Sequence, residues 1–148
     1  MEEAKKERLS SACREGGLEL AGLVSELHEL LTNAEVETPI DPFQAVDRAR
    51  RAYFRLINTI LNDLGDAAVD QPADGVVFRA HGPALSDAKV DLTEDDEADL
   101  QKLPKLLDDF DHATSDGERA MHAYEYVQLV DKVRESLCSA VERAILRS

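Results

Sequence analysis

Histidines and carboxylates in this chain fall at spacings that suit a metal site. Glu118 and His122 are one helical turn apart, and His28 stands beside Glu26 and Glu29. Such groups could build a di-iron type site inside a helical bundle. That class uses Glu-x-x-His pairs on two helices, and the sequence contains none. Since Glu118 also suits a helix cap, we expect no metal and no cofactor.

A second carboxylate pattern suggests magnesium chemistry. Glu26 and Glu29 share one helix face at a three-residue spacing, and Asp63 and Asp66 repeat that spacing. The pattern is similar to that of the MazG-like nucleotide pyrophosphohydrolases, all-α enzymes that hold Mg²⁺ on Glu-x-x-Glu and Glu-x-x-Asp elements. The chain departs from that pattern because Asp63 replaces a glutamate and the elements lie further apart than is usual in the family. The resemblance implies, as an alternative, a nucleotide hydrolase with these four carboxylates as catalytic residues.

Nucleophilic catalysis has little support in the sequence. Cys13 and Cys138 lie within helical patterns, where each is expected to be a small core residue. The chain has neither a Gly-x-Ser-x-Gly motif nor a glycine-rich phosphate loop. We therefore predict a protein that is not an enzyme.

The helical periodicity of four segments predicts an all-α, up-down four-helix bundle. The clearest segment follows Asp41 as N-cap and Pro42 as first helical residue. Its apolar positions recur every three or four residues: Val46, Ala49, Tyr53, Ile57, Ile60 and Leu64. The predicted helices span about 2–33, 42–64, 93–113 and 116–146, in a single domain over 1–148 with a long irregular loop at 65–92.

Local signals predict three irregularities in these helices. Gly16-Gly17 should weaken or bend the first helix, leaving its N-terminal part separate or frayed. Pro104 should kink the third helix or begin a new turn. Ser115 and Glu118 have the spacing of a capping box at the start of the fourth helix.

The cellular location is predicted from features that the sequence lacks. It has no apolar run of the roughly 18–20 residues that a membrane span needs, and its first residues lack the apolar stretch of a secretory signal. Two cysteines are too few for a disulfide scaffold, so we expect a cytoplasmic protein. Antiparallel first and fourth helices would place Cys13 and Cys138 toward the same end of the bundle, which does not imply a disulfide bond.

Charge is abundant and segregated. The chain has 31 acidic and 17 basic residues, a net charge of −14, which argues against a general nucleic-acid coat protein. Acidic residues gather where the third helix begins, and arginines line one face of the second. These regions are either solvated faces or a docking surface for a basic partner.

We therefore predict a protein that acts through protein–protein interaction, as a subunit, an adaptor or an inhibitor. An acidic mimic of nucleic acid that binds a basic protein is a further alternative, and self-association as a homodimer is left open beside it. The residues predicted to contact a partner are Arg48, Arg51, Arg55, Glu94, Asp95, Asp96, Glu97, Phe78 and Arg79.

Overall fold

The computed structural model describes residues 3–32, 40–64 and 90–147. These residues form four helices: α1 is Glu3–Leu31, α2 is Pro42–Leu64, α3 is Glu94–Asp111 and α4 is Asp116–Arg147. No strand occurs within the described ranges, and the predicted all-α bundle is confirmed. Each helix begins and ends within two residues of the bounds predicted for it. The predicted loop lies outside the described residues except for its last three, 90–92.

Side chains cap the starts of α2 and α4. The Asp41 carboxylate accepts a hydrogen bond from the Phe43 backbone N–H at 2.9 Å, with Pro42 at the first helical position. The capping box predicted at α4 is only partly formed. The Ser115 hydroxyl accepts from the Glu118 N–H at 3.2 Å, whereas the Glu118 carboxylate accepts from the N–H of Thr114 at 3.1 Å.

The helices alternate in direction, and α4 is central. It contacts each of the other three helices, and α1 also contacts α2. The buried carboxylate of Asp99 joins α3 to α4 through Lys132 at 2.8 Å, and Lys102 lies 3.6 Å from the same carboxylate. α3 continues through Pro104 as one helix, so the proline does not end it.

The glycine pair does not divide α1, which runs unbroken from Glu3 to Leu31. The predicted separate or frayed N-terminal part is therefore wrong. A Cβ atom at Gly17 would lie 3.2 Å from Cζ of Arg134, so the glycines leave room for this side chain between α1 and α4. Packing by the neighbouring helix compensates for the low helix propensity of the pair.

Leucine, valine, isoleucine and alanine form most of the core, as predicted. Two tyrosines, Tyr53 and Tyr126, are also fully buried, which confirms the predicted core position of Tyr53. Burial, and then the proximity of Tyr126, raises the pKa of Tyr53, so its hydroxyl stays protonated. Within the described ranges, no helix combines the length and apolar character needed to cross a membrane.

Candidate functional site

Two of the three predicted partner-binding arginines of α2 are engaged with α1. The Glu19 carboxylate of α1 lies 2.7 Å from Nη2 of Arg55 and 3.8 Å from Nε of Arg48. Arg51 pairs instead with Asp47 of its own helix at 3.1 Å, and its side chain is 74% exposed. We call these three arginines the arginine row. It joins α2 to α1 through Arg48 and Arg55, whereas Arg51 is solvated.

The acidic beginning of α3 serves as a helix cap. Thr93 and Asp96 form a capping box, with both hydrogen bonds at 3.2 Å. Burial tends to raise the pKa of Asp96, but hydrogen bonds from Ser136 and Thr93 outweigh it and hold this pKa below its usual value. The other three carboxylates are exposed: Glu94, Asp95 and Glu97. Phe78 and Arg79 lie outside the described residues.

Three carboxylates of the hydrolase alternative are described by the structure, and they are not brought together. Asp63 is half-buried near the end of α2, where its carboxylate accepts hydrogen bonds from Arg8 at 3.1 and 3.2 Å. Glu26 and Glu29 are exposed on α1, and Glu26 is about 27 Å along the helix from Arg8. Asp66 lies outside the described residues. Asp63 thus lies beside the start of α1, whereas Glu26 and Glu29 lie toward its end.

The two histidine candidates contact different side chains. His122 lies 3.7 Å from Glu118 and 3.7 Å from Glu125, all on α4. His28 packs instead against the Tyr124 ring, with centroids 6.1 Å apart. In the part of the chain that the structure describes, no three potential ligands are grouped so that they could hold a metal ion.

An apolar groove opens at the end of the bundle where α1 ends and α2 and α4 begin. We call it the Phe43 groove. Its volume is about 530 Å³, and its lining includes Leu30, Leu31, Ile40, Phe43, Asp41, Asp116 and Arg119. Four large apolar side chains among the described residues are more than half exposed, namely Leu18, Phe43, Met121 and Leu146. Of these, Phe43 lies in a groove with other apolar residues around it.

The exposed Phe43 ring packs against two neighbouring side chains. Its centroid lies 5.2 Å from that of the buried Phe110 ring of α3, in an edge-to-face arrangement. The Arg119 guanidinium lies 5.1 Å from the Phe43 centroid, and Asp116 holds that guanidinium at 2.9 Å. Stacking and cation–π contacts of this kind orient an aromatic ring before a partner arrives. Phe43 nevertheless stays 54% exposed.

The groove lies at an acidic end of the bundle. Two exposed carboxylates line it, Asp41 and Asp116, and the end of α3 and the start of α4 carry three more: Asp108, Asp111 and Glu118. The Asp108 carbonyl, hydrogen-bonded to the His112 ring, raises the pKa of His112, and the Asp108 carboxylate raises it further. Arg119 is already paired with Asp116. This end therefore attracts cations.

Sequence reasoning missed this site because Phe43 precedes the apolar stripe of α2 by one turn. The signal was present: a phenylalanine directly after an N-cap and proline is placed at a helix end, where neighbouring helices cover little of it. Comparisons with protein families, curated proteins and solved structures found no match to the chain. The candidate site therefore depends on the geometry alone.

Proposed function

We propose that the protein acts by binding another protein, and that the Phe43 groove receives a basic, amphipathic segment of this partner. The observation that carries the proposal is an exposed aromatic ring held between Phe110 and Arg119 at the mouth of an apolar groove. Aromatic anchors in apolar pockets supply most of the binding energy of many interfaces. A ring that is ordered in advance also loses little conformational entropy on binding.

The charge around the groove indicates the chemistry of the partner. An apolar side chain of the partner would enter beside Leu30 and Ile40 and pack on Phe43. A lysine or arginine one turn away along a partner helix would reach the carboxylate of Asp41 or Asp116. Charge attraction across such an interface speeds association and weakens as salt rises.

A displayed library of random peptides tests both parts of the proposal. We expect enriched peptides to combine lysine or arginine with leucine or phenylalanine, and to bind more weakly at high salt. Phe43→Ala should raise the Kd of these peptides about 30-fold, the equivalent of 2 kcal/mol. Met121→Ala is the matched control, because Met121 is 53% exposed but lies outside the groove, and its Kd should equal that of the wild type. Enrichment of acidic peptides, or equal binding by Phe43→Ala, would contradict the proposal.

Three further sequence predictions remain proposals. A homodimer would double the molar mass measured by light scattering, and a monomeric mass at tens of micromolar would contradict it. A cytoplasmic location would be tested by fractionation of cells that contain the protein. The absence of enzymatic activity is likewise a proposal, tested by assay of nucleotide hydrolysis with Mg²⁺, where release of pyrophosphate would favour the hydrolase alternative.

A further inference from the structure

The two cysteines of the chain are joined by a disulfide bond between α1 and α4. Cys13 and Cys138 have Cα atoms 5.9 Å apart. The prediction that they lie toward the same end of the bundle is thus confirmed, and the structure adds the covalent bond. Both residues are only partly buried. They line an open groove of about 530 Å³ together with Leu9, Ser10, Arg134 and Ser139, which we call the disulfide groove. The bond therefore borders a groove that is open to solvent.

The two halves of α1 are held unequally. Leu20, Leu23 and Leu27 of the second half are all buried, whereas Leu9 is the one buried side chain among residues 3–17, all of which the structure describes. Gly16 and Gly17 lie at the boundary between these two halves of the unbroken helix, and each lowers the local helix propensity. The disulfide therefore lies in the half of α1 with the smaller apolar attachment.

We propose that Cys13–Cys138 is a thiol-exchange site whose reduction releases residues 3–17 of α1 from α4. The substrate class is low-molecular-weight thiols. A thiolate attacks one sulfur and forms a mixed disulfide, while the electron pair of the broken S–S bond leaves on the other cysteine, which takes up a proton. A second thiolate attacks the mixed disulfide, which frees the second cysteine as a thiol and leaves the small thiols as their own disulfide.

Release is confined to the first half of α1 because its second half stays docked through buried leucines. Without the disulfide, the described contacts that hold residues 3–17 include Leu9 and the ion pair of Arg8 with Asp63. Opening at the glycine pair would expose Val141 and Ile145, which line the disulfide groove with Leu9. This conformational change is independent of the proposed binding at the Phe43 groove.

Alkylation of the native protein tests access to the bond. The full chain is incubated with glutathione or dithiothreitol without denaturant, and free thiols are trapped with N-ethylmaleimide. We expect mass spectrometry to show two adducts per chain. Adducts that form only after the protein is denatured would overturn the proposal, because the bond would then be closed to thiols.

Hydrogen–deuterium exchange tests the release. In the reduced protein, and in the Cys13→Ser/Cys138→Ser variant, amides of residues 3–17 should exchange at least tenfold faster than in the oxidised wild type. Amides of Leu20–Leu27 and of the described parts of the other helices should keep their exchange rates. Unchanged exchange everywhere would overturn the proposal, because the bond would then not hold residues 3–17 on α4. Loss of protection throughout the chain would also overturn it, because the bond would then be needed for the whole fold.

A pair of glycine variants tests whether α1 of the reduced protein opens at Gly16 and Gly17. Gly16→Ala has room, because the added Cβ would lie 3.6 Å from Cδ of Arg134, and it should slow the exchange of residues 3–15 about fivefold. Gly22→Ala is the matched control, because nothing lies within 4 Å of the added Cβ and the residue belongs to the docked half. It should leave that exchange unchanged. Equal effects of the two variants would refute an opening at the glycine pair.

Discussion

A double-mutant cycle on Glu19 and Arg55 measures how firmly the arginine row of α2 is held by α1. The pair is 2.7 Å apart, and the side chains of Glu19 and Arg55 are 26% and 69% exposed. Exposed pairs contribute roughly 0.2–1 kcal/mol, and the partial burial of Glu19 places this pair at the upper end. We expect a coupling energy of about 1 kcal/mol between Glu19→Gln and Arg55→Met, where methionine keeps the apolar stem of the arginine.

The assay is urea unfolding followed by circular dichroism, since the chain has no tryptophan. Arg51→Met is the matched control, because Arg51 pairs only within its own helix among described residues and should cost no more than about 0.5 kcal/mol. In 1 M salt, where the Debye length falls to about 3 Å, the coupling should shrink. A coupling below about 0.3 kcal/mol at low salt would refute this reasoning and leave Arg55 available to a partner, as the sequence predicted.

Three further predictions concern stability. Phe43→Ala should lower the free energy of unfolding by about 1–2 kcal/mol, because the ring stacking and the cation–π contact are lost. Met121→Ala should change the free energy of unfolding by less than about 0.5 kcal/mol. Equal losses for the two variants in urea titrations would contradict this prediction. Asp99→Ala should cost about 1–2 kcal/mol in the same titrations, because the charged hydrogen bond from Lys132 is lost, and wild-type stability would contradict that role. The pKa of Asp96 is lowered in the folded protein, so its stabilising effect is present above its ordinary pKa of 3.8 and is lost as the pH falls through the lowered value. The difference in Tm between wild type and Asp96→Asn should therefore close on acidification, and a difference that persists would show that the cap does not depend on this ionisation.

The helices could be predicted from the sequence because their signals are local. Asp41 and Pro42 fix the start of α2 by cap chemistry, and the apolar spacing through Tyr53 fixes its buried face. Each signal lies within a turn or two of the feature that it predicts. The error at Gly16-Gly17 has the opposite cause, because helix propensity is local but the side chain that packs on the glycines comes from α4.

The candidate sites depend on contacts between residues distant in sequence. Glu19 could engage Arg48 and Arg55 only once α1 and α2 were aligned in one register. The same holds for Cys13 and Cys138, which are 125 residues apart and need a Cα separation below about 7 Å to bond. Periodicity predicts which face of a helix is buried, but it does not predict the axial register of two helices.

The two proposed sites are far enough apart to act separately. Cys138 lies nineteen residues after Arg119 on α4, so the disulfide groove is about 28 Å along the helix from the Phe43 groove. The segment of α1 that borders the Phe43 groove, including Leu30 and Leu31, follows the buried leucines that keep it docked after reduction. Reduction should therefore leave the affinity of a selected basic peptide unchanged. A change in that affinity would mean that the released segment itself contacts the peptide or that α1 moves as one rigid helix, and the glycine pair would then not separate its two halves.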